Sequence, residues 1–92
     1  MSEVKTIEGK TTSGFNYKIL RENLENYELI EALGEAEENP LMFPKTVTLL
    51  LGKEQANKLK DHLRTENGTV STEKMTNEIM EIFESERETK NS

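Results

Sequence analysis

Cysteine is absent from this chain of 92 residues, and histidine occurs once, at His62. The first absence excludes a disulfide framework and any thiolate metal site. The second leaves a histidine with no second ligand or base beside it, so His62 reads as a structural or surface residue. Long apolar runs are missing as well. The longest are Leu41-Met42-Phe43 and Leu49-Leu50-Leu51, far short of the ~20 residues that a membrane-spanning helix requires. Clusters of Lys and Arg are also lacking. With 12 basic against 18 acidic side chains the net charge is −6, which argues against nucleic acid or an anionic membrane as the partner, because a phosphate-binding surface needs grouped cations. The acidity serves solubility. A sharper reading is attraction to a basic partner or mimicry of nucleic acid, but mimicry calls for dense carboxylate rows and here Lys is interspersed through most of the chain. The first residues, Met1-Ser2-Glu3-Val4-Lys5, hold no apolar signal-peptide core, so the expected compartment is the cytoplasm.

What is present is one small, polar domain. Only 33% of the residues are hydrophobic and 33% are charged. A chain of this length buries roughly 60–65% of the surface its unfolded form exposes, so the core is expected to be thin, and homo-oligomerisation or partner binding would add to it. The markedly apolar stretch is residues 39–52, framed in front by Pro40 and Pro44. It supplies either much of the core or a surface for something to bind.

The expected fold is mainly α, a small domain of three to four helices with a short extended or hairpin segment at the N-terminus. Residues 1–14 read as a loose arm or hairpin strand, 15–83 as the helical domain and 84–92 as a frayed acidic tail. Phe15 to Ile19 alternates apolar and polar, the period of a half-buried strand, and Val4 to Ile7 could pair with it. A first helix is predicted over Arg21–Glu38, with Leu29, Ala32, Leu33 and Ala36 on one stripe and Ile30 beside it. Gly34 weakens it, and either permits close helix approach or marks a bend. Asn39-Pro40 ends it. A second helix follows over Lys45–Leu51, with Pro44 at its first position and Gly52 as its stop. Residues 47–51 could equally be a buried strand by length alone. A third helix is predicted over Lys53–Thr65. The fourth opens on Ser71 as N-cap, with Val70 stapled to Met75, and buries Met75, Ile79, Ile82 and Phe83. Leu33, Leu50, Leu59, Leu63, Ile79 and Phe83 are expected to be buried.

No motif carries catalytic chemistry. Glu35-Ala36-Glu37-Glu38 and the set Glu81, Glu84, Glu86 and Glu88 could gather a cation, but calcium loops need oxygen ligands on a tight glycine turn, and these carboxylates fall on helices. Gly9-Lys10-Thr11-Thr12 resembles the end of a phosphate loop, yet Val4 stands where the upstream glycine belongs. Catalytic, cofactor-binding and metal-binding residues are therefore all expected to be none, and an enzyme is not expected, for want of a nucleophile–base pair. The candidate site is instead a contact surface. Met42, Phe43 and Met80 are apolar, lie outside the regular buried stripes, and are the candidate partner-binding residues; Met in particular adapts to varied partners.

The order of short motifs resembles a family. It runs from Ser13-Gly14-Phe15 through Asn26-Tyr27-Glu28-Leu29-Ile30-Glu31-Ala32-Leu33 to Glu38-Asn39-Pro40-Leu41 with Pro44. It continues with Leu49-Leu50-Leu51-Gly52-Lys53-Glu54-Gln55, Leu59-Lys60-Asp61-His62-Leu63, Asn67-Gly68 and Glu78-Ile79-Met80-Glu81-Ile82-Phe83. The order is similar to that of the tail assembly chaperone-like proteins of long-tailed bacteriophages and Gram-positive prophages, over residues 13–83. The resemblance implies a non-enzymatic factor that coats the tape-measure protein and recruits tail-tube subunits in the cytoplasm of the bacterial host. Such a factor is not retained in the finished virion and needs no cofactor. A small acidic phage regulator that binds a host protein or a DNA-binding protein is the alternative.

Overall fold

The computed structural model describes the backbone of residues 5–90 and the side chains of residues 5–86. It is a mainly helical domain with an N-terminal two-stranded hairpin. The hairpin comprises β1 (Thr6–Lys10) and β2 (Asn16–Leu20), and is followed by α1 (Arg21–Leu24) and α2 (Tyr27–Glu38). One 3-10 turn (Pro40–Met42) leads into α3 (Phe43–Leu51), α4 (Lys53–Leu63) and α5 (Thr72–Lys90).

The hairpin is antiparallel, with Thr6 opposite Leu20 and Lys10 opposite Asn16. Its first strand begins two residues later than the expected Val4 start, and Val4 itself lies outside the described residues. Phe15, Tyr17 and Ile19 all point inward and are buried, as the two-residue period requires. The hairpin thus covers the helices with one apolar face. Gly9 stands directly opposite Tyr17, and the tyrosine ring occupies the space that a Cβ at position 9 would need.

The single helix expected over Arg21–Glu38 is split in two. The Asn26 side chain accepts a hydrogen bond from the Glu28 backbone at 3.0 Å, so a second N-terminus begins there. Upstream, the Asn23 side-chain amide donates to the Leu50 carbonyl at 3.1 Å, satisfying one of the carbonyls left open at the end of α3. Two further bounds shift: α3 opens at Phe43, one residue before Pro44, and α4 ends at Leu63, two residues short of the expected Thr65, where Arg64 turns extended. The remaining boundaries follow the expected chemistry. Asn39 leaves α2 and caps the 3-10 turn through Leu41 N–H at 3.2 Å. Residues 47–51 are helical, and Gly52 ends α3 with φ of +84°, a conformation that L side chains rarely adopt. The Ser71 hydroxyl accepts from Lys74 N–H at 3.2 Å to start α5. Helical backbone extends through Lys90, beyond the Glu84 position where fraying was expected, and residues 91–92 lie outside the described part.

The core joins the hairpin to α2–α5. Leu29, Leu50, Leu59 and Ile82 are completely buried in it, and Ile79 and Phe83 nearly so. Leu33 and Leu63 were expected among the buried residues. They are only half-buried and pack on the margin, because the α2 stripe turns outward after Ala32 and α4 ends at Leu63. Thr46 is also fully buried, and its hydroxyl has no hydrogen-bond partner. An orphaned hydroxyl costs free energy that a methyl group of similar shape does not. Thr46→Val should therefore raise the unfolding free energy by about 1 kcal/mol, measured by urea titration. A loss of stability would mean that the hydroxyl is bonded in solution.

Candidate functional site

Phe43 stands where the 3-10 turn becomes α3, and Pro40 fixes the approach of the chain to it. Its half-buried ring lies between two shallow hollows. One, of about 440 Å³, is lined by Leu41, Val47, Ala56, Lys60, Val70 and Met75 among others. The second, of about 530 Å³, is lined by Ile30, Leu33, Gly34, Ala36, Glu37, Met80 and Phe83. Pro40, Phe43 and Thr72 border both, so the two hollows adjoin at Phe43 and together make up a trough, bounded by α2, α3 and α5 and, on the side of the first hollow, by α4. Met80 carries it on to a smaller depression lined by Asn77, Glu81, Glu84 and Ser85.

The α5 wall is built on a spacing of four. Thr72, Thr76, Met80 and Glu84 fall at i, i+4, i+8 and i+12, one row along a helix surface. Met80 leaves the buried Met75/Ile79/Ile82 stripe by this spacing and faces the trough. Among the described residues, two of the three exposed large hydrophobic side chains, Leu41 at 85% and Ile30 at 45% exposure, stand on the rim; Tyr27, at 73%, is the third. Gly34 lies in the trough, and a Cβ built on it meets nothing within 4 Å. No neighbouring helix therefore approaches closely at Gly34, and the trough is open there.

Of the three expected contact residues, the structure brings Phe43 and Met80 together on this trough and sets Met42 apart. Met42 is half-buried and borders neither hollow. Gly34 and the rim residues Leu41 and Ile30 were not anticipated as parts of the site. The signal available for the α5 wall was the i+4 row ending on Met80.

Elsewhere the polar side chains hold the fold together. The hairpin turn is clamped on both sides. Thr12 donates from its backbone N–H and its hydroxyl to Glu81 Oε2 at 2.8 and 2.9 Å. His62 Nε2 lies 3.2 Å from the hydroxyl and the carbonyl of Ser13, and its ring packs against Phe15 with centroids 5.5 Å apart. His62 is thus a fastener between α4 and the turn. Further along, the Tyr17 hydroxyl donates to Glu86 Oε2 at 2.6 Å. Burial, and then the Glu86 carboxylate, push the Tyr17 phenol up to about 12 from its ordinary 10.0. Below pH 10 its contribution to stability is whole. As the pH climbs from 10 towards 12, the unfolded chain loses this proton and the folded one keeps it, so stability drains away. At 1.36 kcal/mol per unit the loss approaches roughly 2–3 kcal/mol. Tyr17→Phe should flatten that alkaline decline relative to the parent protein in stability measurements taken from neutral to high pH. An unchanged slope would mean that the phenol does not stay protonated.

Among the described residues, no group of three or more His, Asp or Glu side chains is placed to hold a metal ion, and no helix is long and apolar enough to cross a membrane. Comparison with known proteins gave no matching family model, curated protein or solved structure.

Proposed function

We propose that this protein is a non-enzymatic assembly chaperone that receives a partner helix in the trough between α2, α3 and α5. The observation that carries this reading is the trough itself: an open apolar channel, walled by helices, rimmed by exposed Leu41 and Ile30 and floored by Gly34, on an otherwise charged body. An amphipathic helix lays its apolar face into such a groove through anchors spaced three or four residues apart. The resemblance over residues 13–83 supplies the partner: the tape-measure protein of a long-tailed phage, with tail-tube subunits brought to it. On this reading the protein acts in the cytoplasm of the bacterial host and is absent from the finished virion.

The test uses two substitutions that should leave the fold intact. Gly34→Leu fills the trough at a position where a Cβ meets no neighbour, and leucine is the better helix former by roughly 1 kcal/mol. The variant should be at least as stable as the parent and should bind a purified tape-measure fragment at least about tenfold more weakly, a change of about 1.4 kcal/mol. Met80→Asp places a carboxylate on the same wall and should likewise weaken binding while leaving the thermal midpoint nearly unchanged. Two folded variants with unchanged affinity would remove the trough as the site.

A further inference from the structure

The charge around the trough states what kind of helix it accepts. We infer that the occupant is a cationic amphipathic helix, with lysine or arginine flanking its apolar stripe; this rests on the reading of the trough as a helix-binding site.

Three observations converge. First, α2 carries Glu28, Glu31, Glu35, Glu37 and Glu38 and neither lysine nor arginine. Glu35, Glu37 and Glu38 crowd its last turn, the negative end of the helix dipole, where carboxylates are unfavourable. Among the described residues none of these three forms an ion pair. A cation arriving from outside would relieve that repulsion, and Glu37 lines the trough at this end. Second, where Met80 extends the trough, the ionisable side chains that border it among the described residues are Glu81 and Glu84. Among the described residues, Lys60 is the charged side chain lining the opposite hollow, so the charged side chains that line the trough from Gly34 to Glu84 are carboxylates. Third, the α5 row from Thr72 to Glu84 covers twelve residue steps, about 18 Å at 1.5 Å per residue. That matches about three turns of a docked helix, a length over which cations flanking an apolar stripe recur. A second copy of this chain fits poorly, since it would bring a net charge of −6 against an equal one, and an anionic partner is repelled in the same way.

The experiment titrates the full chain with two synthetic helical peptides that share one apolar stripe, flanked by lysine in one and glutamate in the other. The lysine peptide should bind about tenfold tighter or more at low salt, and the preference should shrink as salt screens the rim. The triple change Glu35→Gln, Glu37→Gln and Glu38→Gln should cut that preference several-fold while raising the thermal midpoint, because the dipole penalty goes with the charges. Gly34→Leu should displace the lysine peptide. Equal binding of the two peptides, or indifference to the glutamine changes, overturns the cationic occupant and leaves the trough reading standing. Binding of neither peptide, or lysine-peptide binding untouched by Gly34→Leu, overturns the trough reading and this inference with it. A concentration-dependent dimer in sedimentation that Gly34→Leu dissolves would make a second copy the occupant, and would overturn the inference too.

Discussion

Leu59→Ala should lower the unfolding free energy by about 2–5 kcal/mol, the range for truncating a buried leucine to alanine. Leu59 sits on α4 with 0% of its surface exposed, in the cluster where the hairpin residues Phe15, Tyr17 and Ile19 meet Leu50, Ile79 and Ile82. A core this thin has little around it to collapse into the space left behind. Total stability in small domains is only about 5–15 kcal/mol, so the substitution removes a large fraction. With a urea slope of about 1–3 kcal/mol per molar, the midpoint should fall by about 1 M or more. Leu63→Ala, one turn further on and half-buried, should cost clearly less, about 1–2 kcal/mol. Equal losses at the two positions would mean that the C-terminal end of α4 is covered in solution.

Gly9→Val should be the most damaging change in the hairpin. A Cβ at position 9 falls inside the van der Waals envelope of the Tyr17 hydroxyl and ring carbon, whereas at Gly14, Gly34, Gly52 and Gly68 it meets nothing within 4 Å. The tyrosine has no free space to yield into, because it is 5% exposed and its hydroxyl is tied to Glu86. Either β1 moves off β2 or the ring leaves the core and the Glu86 bond is lost. Overpacking of this kind costs about 1–3 kcal/mol, and a broken charge-assisted hydrogen bond adds about 1.5–3 kcal/mol. The diagnostic is non-additivity. Tyr17→Leu shortens the opposing side chain, so the double variant should be more stable than the sum of the two single losses predicts, by about 1 kcal/mol or more. Strict additivity would place the damage in the backbone of β1 instead.

The helix boundaries that the sequence disclosed are those set by single residues acting locally. Asn39-Pro40, Gly52 and Ser71 each fix a terminus by their own dihedral preference or capping oxygen, whatever the rest of the chain does. The break at Glu25–Asn26 was hidden because Asn26 sits inside an otherwise helical stretch, and only the Asn23 bond to Leu50, a tertiary contact, gives the short α1 its place. The period-2 pattern at Phe15–Ile19 announced a strand but not that its inner face would be a wall of the core. In the site, Phe43 and Met80 were legible as apolar residues off the buried stripes. Their meeting on one trough depends on where the tertiary fold sets α3 relative to α5, and that placement no local pattern carries. Met42 shows the converse: it neighbours Phe43 in sequence, yet it borders neither hollow.

The ties of the hairpin to α5 have a temporal consequence. Thr12 with Glu81 and Tyr17 with Glu86 are each separated by 69 residues. During synthesis the N-terminal segment emerges first, and its buried face then has neither Ile79 nor Ile82 to rest on and neither carboxylate to fasten it. A nascent chain that has reached Asn67 contains the residues of four of the five described α-helices but not those of the one that locks the hairpin. The same α5 also supplies the Thr76 and Met80 wall of the trough, so a ribosome-bound chain short of these residues has no finished groove. Completion of the groove and locking of the N-terminal strands are therefore one event, set by the arrival of α5.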